Sequence, residues 1–166
     1  MKRVCYNALM RWIWVDKLLE CEPGKSAVGV KCFSLSDPLF MDHFPGFPIV
    51  PGVLQVEMIA QVGGKCLRAA LPEILTVLGS VKSAKFYKSI EPGDRCTIHV
   101  AVDQLRQQYA IVSGYILVGE KKVATTTVMF GMLPGSRLEA GAQDPVLARW
   151  KKEQQALLAS PSEGQP

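Results

Sequence analysis

The stretch HFPGFPIVPGVLQVEMIAQVGGKCL, residues 43–67, decides the fold. Its first ten residues are dense in proline and glycine, which block both helix formation and strand pairing, so they predict an irregular, rigid loop. From Val53 onward, the residues form an almost fully apolar run without an internal proline. This run predicts a helix that ends at Pro72. Because the helix has so little polar surface, we expect it to be buried nearly all round.

Residues on both sides of this helix alternate between apolar and polar side chains, which is typical of β-strands. Upstream, the turn signal Glu22-Pro23-Gly24-Lys25 separates two such runs and predicts a hairpin. Downstream, turn signals separate four further runs, at 75–90, 95–105, 109–118 and 122–132. The predicted order is therefore a hairpin, one buried helix and then a meander.

One apolar helix between strands favours an α+β fold in which an antiparallel sheet wraps around one long buried helix. A single sheet covers only one side of the helix, so a second copy or loops must cover the rest. This is the hot-dog arrangement, and it predicts a dimer-forming chain.

We expect the hot-dog domain to span residues 1–133. Residues 134–166 are rich in Gly, Ser, Glu, Gln and Pro and predict an extension that ends in a disordered tail. A short amphipathic helix at about 144–158 is expected within the extension. Its predicted apolar contacts are Val146, Leu147, Trp150 and Leu157.

The composition excludes several classes of function. The chain has 166 residues, 48% of them hydrophobic and 20% charged, which is ordinary for a globular domain. A net charge of +4 without a basic run argues against nucleic-acid binding. No segment approaches the roughly 18 apolar residues that span a bilayer. Five cysteines without a close pair argue against a disulfide scaffold and favour the reducing cytoplasm.

Two titratable side chains flank the proline- and glycine-rich loop. His43 precedes it, and Glu57 lies within the apolar helix, where a carboxyl group is unusual unless it is paired or functional. In apolar surroundings the pKa of Glu57 is expected to rise. A proton acceptor and a proton donor are what β-elimination of water from a 3-hydroxyacyl thioester requires. The unpaired N–H groups of Gly52 and Val53, where the helix begins, would stabilise the negative charge that develops on the thioester oxygen.

The residues alone are also compatible with purely structural roles for His43 and Glu57. His43 could be an ordinary loop residue, and Glu57 could be paired with one of the many lysines. The second histidine, His99, lies in the middle of a predicted strand, and we interpret it as a surface or packed residue. Cys66 lies in the middle of the helix without a nearby base in sequence, and we interpret it as a core residue.

The segment HFPGFPIVPGVLQVEMIAQVGG, residues 43–64, resembles the signature of the FabZ/FabA-type (3R)-3-hydroxyacyl-acyl-carrier-protein dehydratases. That signature is H-F-P-G-x-P-x-x-P-G-V-L, then E, then A-Q. The fixed positions are filled here by His43, Pro45, Gly46, Pro48, Pro51, Gly52, Glu57, Ala60 and Gln61. Segments 15–25 and 86–94 are also similar to the family, so the resemblance covers about residues 12–133.

The resemblance implies a hot-dog dimer with the active site at the subunit interface, where His43 of one subunit faces Glu57 of the other. It implies that the Gly52 N–H binds the thioester carbonyl and that Gln61 orients the Glu57 carboxylate. Residues four apart share a helix face, which agrees with the last point. The chemistry of the family uses neither a metal ion nor an organic cofactor.

The resemblance also implies partners. The acyl chain would arrive on the phosphopantetheine arm of an acidic acyl carrier protein. The candidates to meet this carrier are Lys82, Lys85 and Lys88, and the alternative interpretation is that these lysines are simply solvated. A homodimer is implied, and family members also form trimers of dimers.

The chain departs from the family at three places. Residues 7–12 replace an L-P-H-R-x-P-F-like segment, Phe47 occupies a position that is more often polar, and residues beyond Pro134 are not part of the usual domain. These departures concern the substrate range and the biological setting, and they leave the catalytic pair intact. Two other functions stand as alternatives: a hot-dog acyl thioesterase, since hot-dog domains also hydrolyse acyl thioesters, and a non-catalytic acyl-binding or scaffold paralogue.

Overall fold

The computed structural model describes residues 12–134 and 145–159. Within these residues, six strands form one antiparallel sheet around a long helix. The elements in chain order are β1 (Lys17–Glu22), β2 (Ser26–Cys32), α1 (Leu39–Asp42), α2 (Gly52–Ala70), β3 (Ile74–Phe86), β4 (Arg95–Leu105), β5 (Tyr109–Val118), β6 (Lys121–Pro134) and α3 (Pro145–Ala159). The predicted antiparallel sheet around one long helix is confirmed.

The strands are arranged in the order β1-β2-β4-β5-β6-β3. The hairpin β1–β2 and the meander β4–β5–β6 agree with the sequence interpretation. The prediction of one meander through all four later strands is wrong for β3, which pairs with β6 and forms the outer edge of the sheet. Alternation along β3 identifies it as a strand, but its partner is chosen by contacts that are distant in sequence.

Helix α2 packs directly on the concave face of the sheet. Gly29 and Gly114 make this close approach possible, because a Cβ on Gly29 would lie 2.6 Å from Val62 Cγ2 and one on Gly114 would lie 2.7 Å from Ile59 Cγ2. Burial of a large apolar side chain contributes about 1.5–3 kcal/mol. The fully buried residues of this core include Met58, Ile59, Val62, Leu67, Ile98, Val112, Ile116 and Val128.

The prediction that α2 is buried nearly all round is wrong for the single chain. Val53 is 75% exposed, and Glu57 and Gln61 are only partly buried. The neighbouring edge strand β3 also exposes apolar side chains, among them Val81 and Phe86. An exposed apolar edge strand is a surface on which another strand can pair.

Helix α3 packs against β1, at the opposite edge of the sheet. Its Val146 side chain is buried in the core and Trp150 packs against that core, so two of the four predicted contacts are confirmed. Lys17 Nζ on β1 lies 3.3 Å from Glu153 Oε2 on α3. The side chains of Leu147 and Leu157, the predicted disordered tail and residues 7–11 lie outside the described residues.

In the part of the chain that the structure describes, no helix is long and apolar enough to cross a membrane. The short helix α1 was not predicted, because four residues are too few to give a periodic pattern. It directly precedes His43 and so positions the start of the proline- and glycine-rich loop.

Candidate active site

The loop after α1 is held by its own backbone. Phe44 N donates to Phe47 O at 3.1 Å, and Phe47 N donates to Phe44 O at 2.9 Å. Gly46 lies between them with a φ of 80°, a conformation that glycine adopts without strain. Ile49 N then donates to His43 O at 3.0 Å and closes the loop. The rigid loop predicted from proline and glycine is therefore present.

The His43 ring is fixed by the same loop. Its Nδ1 lies 2.9 Å from the carbonyl oxygen of Ile49, and the ring stacks on Phe44 at 4.1 Å between centroids. A carbonyl oxygen can only accept a hydrogen bond, so Nδ1 must carry the proton. In the neutral ring, Nε2 is then the nitrogen with a lone pair. This arrangement prepares Nε2 to act as a base.

The N-terminus of α2 lies beside His43. Gly52 is the first residue of the helix, so the N–H groups of Gly52 and Val53 have no acceptor within it and lie at the positive end of the helix dipole. His43 and Gly52 line one cleft of about 340 Å³. The other residues around this cleft are Ile49, Val50, Gln55, Phe86, Tyr87, Lys88 and Ser89.

Glu57 is held from one helical turn away. Gln61 Nε2 donates to Glu57 Oε1 at 2.9 Å, which is the contact that their spacing predicted. The same Nε2 lies 2.9 Å from the Trp12 carbonyl oxygen, and Gln61 Oε1 accepts from Trp14 N at 2.9 Å. The sequence interpretation missed this anchoring of the N-terminal segment. The signal for it was the polar Gln61 side chain in a largely apolar helix.

His43 and Glu57 do not line the same cleft in one chain. Glu57 and Gln61 line a second cleft of about 210 Å³, and His43 is not part of it. The structure thus brings His43 together with Gly52 and Glu57 together with Gln61. The roles assigned to these residues, and to Val53, stay predictions at this point.

Three other residues that the sequence analysis considered, His99, Cys66 and Phe47, line neither the His43 cleft nor the Glu57 cleft. His99 stacks on Tyr115 at 4.7 Å between ring centroids, on the face of the sheet away from α2. Cys66 is fully buried in the core and lines neither of the two clefts, although a hydrogen bond with Cys21 lowers the pKa of its thiol. Phe47 is exposed at the tip of the loop.

The three lysines expected to meet a carrier protein are exposed. Lys82 and Lys85 lie on β3, and Lys88 follows that strand. Lys88 also lines the His43 cleft, so a positive charge lies at its opening.

Comparisons with known proteins agree with this geometry. Residues 21–125 match the ApeI-like family, described as ApeI dehydratase. The chain is 38% identical over 124 residues to the 3-hydroxyacyl-[acyl-carrier-protein] dehydratase FabZ of Natranaerobius thermophilus, covering 73% of this chain and 87% of that protein. It is 37% identical to FabZ of Caldanaerobacter subterraneus subsp. tengcongensis over 73% of this chain and 87% of the relative.

Solved structures are similar in fold. The PaaI protein of the phenylacetic acid degradation operon of E. coli superposes with a TM-score of 0.59 and 14% identity, over 72% of this chain and 80% of that chain. The dehydratase heterocomplex ApeI:P from Xenorhabdus doucetiae gives a TM-score of 0.51 and 17% identity, over 65% of this chain and 88% of that chain. At these identities the likeness concerns the fold alone, and it confirms the hot-dog prediction. The family match and the sequence relatives show that the chain belongs to the FabZ and ApeI-like family of dehydratases.

Proposed function

We propose that this chain removes water from 3-hydroxyacyl thioesters on acyl carrier protein and forms trans-2-enoyl thioesters, in fatty acid or related acyl-chain biosynthesis. The family supports this reaction, since the sequence relatives are named as dehydratases of that kind. The structural observation that carries the proposal is the hydrogen bond of His43 Nδ1 to the Ile49 carbonyl oxygen. In the neutral ring this bond places the lone pair on Nε2 and fixes its direction.

The reaction needs a base, an acid and a site for negative charge. His43 Nε2 takes the proton from the carbon beside the thioester carbonyl, and the electron pair moves toward the carbonyl oxygen. The N–H groups of Gly52 and Val53 hold the developing charge there; one such donor is worth about 2.7–4 kcal/mol in other enzymes. The bond from the third carbon to its hydroxyl then breaks, and Glu57 supplies the proton that makes water. Each positioned proton transfer contributes about 10²–10⁴ in rate.

The catalytic pair requires two copies of the chain. Because His43 and Glu57 line different clefts, we propose that His43 of one copy faces Glu57 of another. The exposed apolar edge of β3 supports a pairing of two sheets at that edge. Further assembly into a trimer of dimers is a prediction from the family alone.

We propose that an acidic acyl carrier protein docks beside the His43 cleft. Lys88 at this cleft, with Lys82 and Lys85 on the adjoining strand, gives the surface a positive potential. Exposed ion pairs contribute about 0–1 kcal/mol each, so these lysines would act more on the rate of encounter than on final affinity. The proposed chemistry uses no metal ion or organic cofactor, and the cytoplasm is the expected location.

The test uses the purified chain with a 3-hydroxyacyl carrier-protein substrate. Absorbance of the enoyl thioester and release of free thiol are followed in parallel, and only the former is expected. His43→Ala should abolish it, whereas the matched variant His99→Ala should not. Thiol release without a double bond would favour the thioesterase, and absence of both signals would favour a non-catalytic paralogue.

A further inference from the structure

The cleft that Glu57 lines has two chemically different parts. One part is apolar and is formed by Ala60, Leu75, Leu78 and Phe130. The other contains two cationic side chains of α2, Lys65 and Arg68. A cleft for a plain hydrocarbon chain needs only the first part.

The two cations are withdrawn from water. Lys65 is only 7% exposed. Arg68 is partly buried, and its Nε is fully buried without a hydrogen-bond partner in the described part of the chain. An unpaired buried donor costs about 1–3 kcal/mol, and more when the group is charged. Since Nε itself is not accessible, a ligand in the cleft would meet the part of the Arg68 side chain that stays exposed there.

The position of the cations relative to Glu57 indicates what that ligand is. Glu57, Gln61, Lys65 and Arg68 follow one another at intervals of three or four residues and therefore share one face of α2. At 1.5 Å per residue, Lys65 lies about 12 Å and Arg68 about 16 Å beyond Glu57 along the helix axis. Leu75 and Leu78 on β3 line the same cleft. This is the path that an acyl chain of medium length would follow away from the reacting carbons.

We propose that this cleft selects acyl chains that carry an oxygen acceptor, best of all a carboxylate, at the end far from the thioester. The methylene groups would contact Leu75, Leu78 and Phe130, and the terminal oxygen would accept hydrogen bonds from Arg68 and Lys65. The inference rests on the proposed dehydration, and it names the substrate class of the same site.

The phosphate of the phosphopantetheine arm is a second possible anion for these cations. The placement of Lys88 argues against it, because the surface expected to meet the carrier adjoins the His43 cleft rather than the cationic end of the Glu57 cleft. The terminal group of the acyl chain is therefore the occupant to which we assign the two cations.

The experiment compares two 3-hydroxyacyl carrier-protein substrates of equal length, one ending in a methyl group and one in a carboxylate. We expect a higher kcat/KM for the carboxylate in the wild-type chain. Arg68→Met should lower the ratio of the two kcat/KM values about tenfold or more, as expected for loss of a charged hydrogen bond. Arg106→Met, at an exposed arginine of the β4–β5 turn, is the matched control and should leave the ratio unchanged.

The possible results separate the failures. A ratio that Arg68→Met leaves unchanged overturns the selectivity but not the dehydration. No dehydration of either substrate by the wild type overturns the proposed function, and this inference with it. The same pair is also assayed as N-acetylcysteamine thioesters, which lack the phosphate. An equal loss for both tails on the carrier, with no loss on these thioesters, would assign Arg68 to the phosphate and overturn the inference.

Stability gives a readout that is independent of turnover. If Arg68 is present for a ligand, Arg68→Met should leave the Tm of the ligand-free protein unchanged or raise it, because methionine removes the unpaired buried Nε donor and keeps the apolar part of the side chain. A clear fall in Tm would mean that Arg68 stabilises the fold, and would contradict the proposal.

Discussion

The ring of Phe86 lies against Gly52, so that a Cβ on this glycine would be 3.0 Å from Phe86 Cζ. Phe86 is the last residue of β3, and Gly52 is the first of α2. The edge strand and the helix N-terminus thus meet in the cleft that His43 lines. The Gly52 backbone is thus close to the Phe86 ring and also lines the cleft that a ligand can enter.

We expect Gly52→Ala to lower kcat/KM at least tenfold with little effect on folding. The new methyl group would stand where the thioester carbonyl approaches the helix amides. The free energy of unfolding should change by no more than about 1 kcal/mol, since the end of the exposed Phe86 ring can move and alanine favours the helix. Gly131→Ala is the control, because its Cβ would meet only Val77 O, at 3.9 Å. Equal activities of the two variants would contradict a close approach at Gly52.

Gln61 should couple stability to catalysis. Gln61→Ala removes the contacts to Glu57, Trp12 and Trp14, and at about 0.5–1.5 kcal/mol each we expect a loss of about 2 kcal/mol in the free energy of unfolding. The kcat value should also fall, because the Glu57 carboxyl is no longer oriented. Gln108→Ala in the exposed β4–β5 turn is the control for both measurements. An unchanged kcat for Gln61→Ala would show that Glu57 needs no positioning.

Much of the fold could be predicted because its signals are local. The turn at Glu22-Pro23-Gly24-Lys25 ends β1 where the sequence predicted, and β4 begins at Arg95 as predicted, whereas β3 ends at Phe86, before its predicted end at residue 90. The pairing of β3 with β6 could not be predicted in this way. This pairing depends on the direction in which the chain continues after α2 ends, and that direction is set by tertiary contacts rather than by a short sequence segment.

The candidate site was predictable to a similar degree. His43 and Glu57 were identifiable because a histidine before a fixed loop and a carboxyl group in an apolar helix are unusual. The anchoring of Trp12 and Trp14 by Gln61 was missed, since the partners are separated by 49 and 47 residues. Contacts at that separation follow from the packed fold rather than from any pattern in the sequence.

Two inactive variants should restore activity when they share a dimer. If the site contains His43 of one copy and Glu57 of the other, a mixed dimer of His43→Ala and Glu57→Gln has one intact site. Random mixing on co-expression should then give about a quarter of the wild-type kcat. Co-expression of His43→Ala with the double variant leaves no intact site and is the control. Restoration in neither mixture would argue against a shared site.

Cys96 should make stability sensitive to alkaline pH. Burial, with a further effect of the Asp94 carboxylate, raises the pKa of its thiol from 9.0 to about 12. The folded chain therefore holds this proton more tightly than the unfolded chain does. That contribution is complete below about pH 9 and is lost as the pH rises toward 12.

Urea unfolding of the wild type and of Cys96→Ala between pH 8 and pH 11 measures this effect. The wild type should lose about 3 kcal/mol more than the variant over that range. Leu19→Ala, at an exposed leucine of β1, is the control and should behave as the wild type does. Parallel curves for the wild type and Cys96→Ala would mean that the thiol is not protected from ionisation.

The edge of β3 should control both assembly and activity. Val81 is an exposed apolar side chain on this strand. In a twofold pairing of two β3 edges, Val81→Lys would add a positive charge to each side of the interface, and like charges on paired strands are destabilising. By light scattering we expect a folded monomer, and this monomer should have lost dehydratase activity because His43 and Glu57 can no longer meet.

The control is Leu19→Lys, at an exposed leucine on β1 at the opposite edge of the sheet, and this variant should stay dimeric and active. A monomeric Val81→Lys with full activity would place the whole catalytic pair in one chain, and a dimeric, active Val81→Lys would move the interface away from β3.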